Sequence, residues 1–340
     1  MNNYPIDVSG SGAVLLGDTV CCDGFHRTCK ARVQTHVHLD HMDGFDTSKG
    51  FQDIFVSEAT KQLLVTEFDA DLPFRENVYV LESETIYDDS KIELVPSGHM
   101  LGSVQVSVER SDGARFGYSS DFQWPIENVI QVDALVVDST YGNPESTRRY
   151  SQAEAENAFA SLLVQKLKNG PVYVLAHRGT LQRALQVISA IIDCPIVGSA
   201  RLCREVQVYR EFGYGIATVL STETAEAQQA LAEGRFLRLY GLGDGFPVDP
   251  GAATAITLSA FMSAPDDPVL EYTDRSYRVA MSNHADFEGT VEYIRATGAR
   301  YVVTDNCRGG HAVELAVEIK SRLGVEAEPS RHGVPREWGV

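Results

Sequence analysis

The first part of the chain consists of short apolar runs, rich in β-branched residues and separated by Gly, Asp and Pro. The runs are GAVLLGDTVCCDG, ARVQTHVH, DIFVS, NVYVL, KIELVPSGH, VQVSVER, RFGYSSDF and DALVVDSTYG. Runs of this length between turn residues predict strands. One helical pattern, SEATKQLLVTEF, interrupts them, with Ser57 as the expected N-cap.

Helical periodicity becomes frequent after Tyr150. SQAEAENAFASLLVQKLKNG predicts a helix that begins after the N-cap Ser151 and closes at Gly170. PVYVLAH and TLQRALQVISAII then predict a strand and a helix. The segment YRVAMSNHADFEGTVEYIRATGARYVVTDN predicts strand, loop, helix and strand, and GGHAVELAVEIKSRLG predicts a last helix. The whole pattern predicts an α/β protein.

Length, composition and charge limit the classes of protein to which this chain can belong. At 340 residues the chain is long enough for two domains, and no apolar run approaches the roughly 18 residues of a membrane span. The start MNNYPIDVSGSG lacks the features of a signal peptide, so we expect a cytoplasmic protein with no membrane partner. The net charge of -18 argues against a non-specific nucleic-acid coat, but a cleft can be locally positive and a nuclease is not excluded.

The stretch THVHLDHMDGF crowds His36, His38, Asp40 and His41 into six positions. Buried imidazoles and carboxylates need partners that a hydrophobic core does not supply, so this stretch predicts a metal site. Further polar residues follow predicted strands at His99, Asp121 and Asp138. Strand ends are where α/β architectures assemble sites, so these side chains can converge with the first group. Four imidazoles and two carboxylates are enough for two zinc ions and for hydrolysis by a shared, acidified water.

The motifs THVHLDH, GHMLGS, SSDF, DSTYG and SNHAD, in this order, resemble the metallo-β-lactamase fold in its nucleic-acid-processing branch, the β-CASP nucleases. The resemblance implies an α/β fold, an αββα sandwich with an inserted compact cap domain. It places the sandwich at 1–150 and 275–340 and the β-CASP-like cap at 151–274.

The resemblance also implies roles for the site residues. One zinc is held by His36, His38 and His99. The other is held by Asp40 and His41, and Asp121 bridges the two ions. Asp138 orients His284, which protonates the leaving oxygen. The implied catalytic residues are Asp40, Asp138 and His284.

One position departs from the family pattern. Where many relatives carry a histidine after the last sandwich strand, this chain has YVVTDN, as Artemis-type DNA nucleases also lack that histidine. Asp305 is the expected substitute ligand, and His311 is a remoter candidate. The second metal is therefore expected to be held less completely, and Mn²⁺ could be its active ion because an oxygen-rich site tolerates manganese.

The segment LAHRGTLQRAL resembles a strand-turn-helix part of the cap. Thr180 as N-cap, with Arg178 and Arg183 nearby, could cradle a substrate phosphate. Solvated helix-end charges are an equally good account of these arginines. Tyr141 is a further candidate for substrate contact, by stacking on bases.

The resemblance implies a metal-dependent nuclease, and the compact cap is similar to that of prokaryotic exonucleases associated with DNA ligase. We therefore expect a DNA exonuclease of DNA repair or processing, with a nucleic-acid substrate and a ligase as a possible partner. An RNA-processing nuclease of the same fold and a small-molecule metallohydrolase remain alternatives. The sequence leaves the polarity of attack and the oligomeric state open.

Overall fold

The computed structural model describes residues 4–259 and 266–331. They form a mixed α/β structure with three sheets. The strands up to residue 147 are β1 (Ile6–Val8), β2 (Val14–Leu16), β3 (Val20–Cys22), β4 (Ala31–Val33), β5 (Asp53–Val56), β6 (Val78–Val80), β7 (Glu84–Tyr87), β8 (Ser90–Pro96), β9 (Val104–Arg110), β10 (Arg115–Tyr118) and β11 (Ala134–Val137). The later strands are β12 (Val172–Ala176), β13 (Ile196–Gly198), β14 (Leu220–Ser221), β15 (Leu237–Gly241), β16 (Thr254–Leu258), β17 (Val269–Thr273), β18 (Ser276–Val279), β19 (Tyr301–Thr304) and β20 (Glu326–Pro329).

The α-helices of the described residues are α1 (Phe45–Phe51), α2 (Glu58–Glu67), α3 (Gln152–Leu167), α4 (Thr180–Ile188), α5 (Ala200–Glu211), α6 (Ala225–Glu233), α7 (Phe287–Thr297) and α8 (Ala312–Leu323). None of these helices combines the length and the apolar character that a bilayer crossing requires. The predicted strands and helices of the first 150 residues are confirmed in place and type, and so is the N-cap Ser57, whose hydroxyl accepts from the Thr60 amide at 3.1 Å.

The chain divides into two compact units, residues 1–147 with 284–340 and residues 148–283. The first unit holds two sheets. One has the order β1-β2-β3-β4-β5-β6, and the other has the order β20-β19-β11-β10-β9-β8-β7. Their facing side chains share one apolar core, to which β4 contributes Val33 and β11 contributes Val136. Burial of such side chains is the main stabilising contribution to a core of this kind.

The other face of the second sheet is covered by helices. Val137 and Val302 of the sheet pack with Phe287 of α7 and Leu315 of α8 in a second apolar cluster. Strands β10, β11 and β19 lie side by side and parallel, so their carboxyl ends share one edge. Asp121, Asp138 and Asp305 all follow at that edge.

The second unit contains a sheet of order β14-β13-β15-β12-β16-β18-β17. Strand β18 pairs in parallel with β16. The unit therefore runs to residue 283, beyond the boundary expected at 274, because the strand that precedes SNHAD belongs to this sheet and not to the first unit.

Two helix starts in the second unit can be compared with expectation. Helix α3 begins as predicted, with Ser151 and Glu154 forming a reciprocal capping box. The predicted N-cap Thr180 is wrong, because the N-cap of α4 is Gly179, at φ 82°. The Gly179 amide donates to the side-chain oxygen of Gln182 at 2.7 Å, so Thr180 is already the first helical residue.

Candidate metal centre

The histidine-rich loop begins where β4 ends. From Thr35 the chain leaves the sheet and closes a 3₁₀ turn at Leu39–His41. His36 and His41 are completely buried, whereas the side chain of Asp40 is 31% exposed. The loop therefore carries three imidazoles and one carboxylate to the edge of the first sheet.

One group of donors surrounds Oδ2 of Asp121. Nε2 of His99 lies 3.4 Å from this oxygen, Nε2 of His36 lies 3.5 Å away, and Nδ1 of His38 lies 3.9 Å away. The ring nitrogens of His99 and His38 are 3.1 Å apart. These four residues can hold one metal ion, because their ligand atoms all lie within 4.8 Å of one another.

A second group lies on the other oxygen of the same carboxylate. Nε2 of His41 is 3.2 Å from Oδ1 of Asp121 and 3.6 Å from Oδ2 of Asp40. Asp121 thus faces the first group with one oxygen and His41 with the other. This arrangement is that of a carboxylate which can bridge two ions.

Two orphaned atoms indicate that the centre suits a metal. Nε2 of His36 and Nε2 of His41 are buried and have no hydrogen-bond partner among residues 4–259 and 266–331. Buried polar atoms are normally paired, so an unpaired ring nitrogen aimed at a carboxylate oxygen fits a ligand that is not protein. The donor set, imidazole nitrogen and carboxylate oxygen, suits zinc and other divalent ions.

Asp23 is a residue that the sequence interpretation missed. It is completely buried at φ 54°, and its Oδ2 accepts from Nδ1 of His41 at 2.7 Å. The same carboxylate accepts from the amide and the hydroxyl of Thr35, at 2.8 and 2.6 Å. With this hydrogen bond the ring of His41 presents Nε2 to the cluster, as a carboxylate behind a metal-binding histidine does. A signal was available, because Asp23 directly follows a predicted strand, like Asp121.

The histidines of the cluster differ in the direction in which their surroundings shift the pKa. Burial lowers the pKa of His36 to about 4 and holds the pKa of His99 well below its usual value, so both rings are neutral at pH 7 with lone pairs available. Burial alone would also lower the pKa of His41, but the carboxylates of Asp121 and Asp40 outweigh it and raise that pKa well above its usual value. The side of the centre around His41 therefore carries surplus negative charge that a cation would neutralise.

Asp138 and His284 lie beside the cluster, as the motifs DSTYG and SNHAD predict. Nδ1 of His284 is 3.3 Å from Oδ2 of Asp138, and its Nε2 is 3.7 Å from Oδ2 of Asp121. The amide and hydroxyl of Thr140 donate to Oδ1 of Asp138, which fixes that carboxylate. Burial opposes the charged form of His284, but Asp121 and Asp138 outweigh it and raise the pKa of His284. Tyr141 lies nearby, with its ring centre 5.7 Å from that of His284.

Asp305 does not join the cluster. It is buried, but its Oδ1 accepts from the Cys307 amide and its Oδ2 pairs with Nη1 of Arg308 at 2.6 Å. The prediction that Asp305 supplies the missing ligand is therefore not supported, because a buried guanidinium holds this carboxylate.

His311 is also placed elsewhere. It is the N-cap residue of α8, its side chain is 43% exposed, and its Nδ1 lies 4.0 Å from Glu314. Its amide donates to the carbonyl of Ser139 at 2.8 Å. The loop after β19 thus supports the loop that carries Asp138, without adding a side chain to the cluster.

The predicted phosphate contacts of the second unit are engaged with carboxylates. Nη2 of Arg178 lies 3.0 Å from the buried Glu205, and Nε of Arg183 lies 2.7 Å from Glu156. These ion pairs are the local structure around the start of α4. A role for Arg178, Thr180 and Arg183 in binding substrate stays a prediction.

Comparisons with known proteins add a family relationship. No protein-family model matches the chain. A protein of Acidianus ambivalens named "Uncharacterized protein in lig 3'region" is 33% identical over 129 residues, which are 37% of this chain and 91% of that protein. The chain belongs to the family of this protein.

More distant relatives carry functional names. A "Probable DNA ligase" of Opitutus terrae is 22% identical over 95% of this chain, which spans 31% of the ligase. An "RNase J-like protein" of Methanocaldococcus jannaschii is 24% identical over 54% of this chain and 50% of its own length. A solved structure described as a protein of unknown function from Enterococcus faecalis shares the fold, with a TM-score of 0.61 at 15% identity over 89% of this chain and 80% of that one. The chain spans half or less of the length of these two named relatives.

Proposed function

We propose that this protein is a two-metal nuclease that hydrolyses phosphodiester bonds, with DNA as its substrate. The observation that carries the proposal is the position of Asp121, which faces three histidines with one oxygen and His41 with the other, beside a histidine held by Asp138. In this proposal the first unit is a metallo-β-lactamase sandwich and the second is a β-CASP-like cap. The relatives named for a ligase and for the region beside lig support DNA as substrate.

The residues divide into three roles. His36, His38 and His99 would hold one ion, Asp40 and His41 a second, and Asp121 both. A bound pair of divalent ions supplies an acidified water at neutral pH and neutralises charge at the phosphoryl group. The chain itself contributes orientation, because burial fixes the rings of His36 and His99 and a hydrogen bond to Asp23 fixes the ring of His41.

His284 is the proposed general acid. Its Nδ1 is held by Asp138, so a proton on Nε2 points towards the cluster, and Asp138 favours the protonated ring. That proton passes to the departing oxygen when the phosphodiester bond breaks. Asp138 thereby acts through His284.

The experiment is a cleavage assay of metal-loaded protein on end-labelled single-stranded DNA, duplex DNA and RNA of one sequence. Asp40→Ala is the test variant, and Asp46→Ala is the matched control because its carboxylate is 93% exposed on the following helix. We expect metal-dependent cleavage that Asp40→Ala abolishes and Asp46→Ala retains. The product sizes from each labelled end give the polarity.

An RNA-processing nuclease is the second candidate, favoured by the RNase J-like relative. Faster cleavage of RNA than of DNA in the same assay would decide for it. If no polymer is cleaved by protein shown to hold both ions, the nuclease proposal fails and a small-molecule ester or phosphodiester becomes the substrate to test. Salt separates these classes as well, because nucleic-acid binding weakens steeply with salt and the binding of a small uncharged substrate does not.

A further inference from the structure

Arg32 and Gln34 are polar residues buried where an apolar pair would be expected. Arg32 lies in β4 and Gln34 follows its end, and neither side chain is exposed to solvent. Burial lowers the pKa of Arg32 to about 10, so the guanidinium remains charged at pH 7. A buried charge is costly unless all its donors are satisfied. The hydrogen-bond partners of the Arg32 guanidinium therefore indicate its structural role.

The guanidinium of Arg32 uses all five of its N–H donors on one short stretch of chain. Nη1 donates to the carbonyl of Asp43 at 2.9 Å and to the hydroxyl of Ser48 at 3.1 Å. Nη2 donates to the carbonyl of His41 at 3.0 Å and, with Nε, to the side-chain oxygen of Gln34. None of these acceptors is a carboxylate. The guanidinium therefore holds backbone carbonyls and neutral side chains in place.

Gln34 completes the network from the other side. Its amide nitrogen donates to the carbonyl of His36 at 2.6 Å and to the carbonyl of His41 at 3.0 Å. The His41 carbonyl thus accepts from both buried side chains. Together they tie the end of β4 to the far side of the ligand loop, across Asp40.

We propose that Arg32 and Gln34 are positioning residues that hold the backbone of the ligand loop so that Asp40 and His41 can bind the second metal ion. The proposal rests on the two-metal centre argued above. Asp23 sets the rotation of the His41 ring, while Arg32 and Gln34 set the position of its backbone. The first ion depends less on them, because two of its four ligands, His99 and Asp121, come from other segments of the chain.

The test measures metal binding without substrate. Arg32→Met keeps the length of the side chain and removes its donors, and Gln34→Ala removes the two amide donors. Asp46→Ala is the control, because its side chain lies outside this network and is 93% exposed on the following helix. Each protein is titrated with Zn²⁺ and Mn²⁺ against a chelator, with metal content, circular dichroism and thermal unfolding recorded on the same samples.

We expect Arg32→Met and Gln34→Ala to weaken the binding of the second ion by about 10–100-fold, the range seen when residues that hydrogen-bond to metal ligands are removed. The first ion should stay within about threefold of wild type, and Asp46→Ala should bind both ions normally. Excess Mn²⁺ should restore part of the activity. Arg32→Lys and Gln34→Ala decide the matter if Arg32→Met does not fold.

Two results would overturn the inference: folded variants that bind both ions as wild type does, or variants that lose both ions equally. A wild-type protein that binds only one ion would overturn it too. Because the readout is metal affinity, a protein that binds two ions but cleaves no nucleic acid would refute the nuclease proposal and leave this inference standing.

Discussion

The two halves of the candidate centre differ in how completely the chain builds them. The half around His36, His38 and His99 has three imidazoles and an oxygen of Asp121, all from buried or nearly buried positions. The half around His41 has one imidazole, the other oxygen of Asp121, and Asp40 with a 31% exposed side chain. Four nitrogen and oxygen donors complete a tetrahedral site, whereas three oxygen-rich donors leave room for water and for exchange. Under the two-metal proposal, the first half would retain its ion and the second would control activity.

Asp121→Ala gives the largest expected effect, because it removes a ligand from both halves. We expect loss of both ions and cleavage no faster than by the metal-free protein. Metal analysis after gel filtration and the cleavage assay measure this. His311→Ala, exposed on the neighbouring helix start, should keep both properties. Full retention of either ion by a folded Asp121→Ala protein would break the bridging assignment.

His284→Ala leaves both halves intact and removes the proton donor beside them. We expect kcat to fall by about 10²–10⁴-fold, the usual range for a general acid, with both ions retained. Asp138, which pairs with Nδ1 and is not a proposed metal ligand, raises the pKa of His284, so the ring should be protonated and active at low pH and the rate should decline as pH rises through that pKa. The variant should lack this decline. A pH profile identical in shape to that of wild type would contradict the role.

Asp23→Asn should separate the two halves directly. It removes the negative charge and one of the two acceptor oxygens that hold His41 and Thr35, so the second ion should bind about 10–100-fold more weakly while the first is retained. Chelator competition with Zn²⁺ measures each affinity. Asp7→Asn, a partly buried aspartate of the same sheet with no part in the cluster, serves as control. Equal weakening of both ions would mean that Asp23 supports the whole loop.

Most elements of the first unit and the convergence of its strand ends could be predicted, because strand periodicity and turn residues are local signals; the short elements β1, β7, α1 and β20 were not predicted. The strand-edge rule placed Asp121 and Asp138 well. It did not predict the partner of Asp305, which lies at the same edge but pairs with Arg308. A strand end determines where a carboxylate lies along the chain, but not whether a metal ion or a guanidinium binds it. Arg32 and Gln34 alternate with the apolar Val33, a pattern typical of a solvent-exposed face, and only the fold reveals that the ligand loop covers them. Sequence thus predicts ligands more readily than the groups that hold them.

Asp305→Asn has the smallest expected effect on metal binding. It tests directly whether the half around His41 lacks a further ligand. If Arg308 rather than a metal is the partner of Asp305, the variant should bind both ions as wild type does. Its free energy of unfolding should fall instead, by about 3–5 kcal/mol, because the buried guanidinium loses its counter-charge. Asp305→Leu with Arg308→Met should recover much of that stability, since it removes both charges. Chemical denaturation and metal titration on the same samples test both halves of the statement. Loss of the second ion without loss of stability would mean that Asp305 is a ligand of that ion. The two halves of the centre would then each have four ligands.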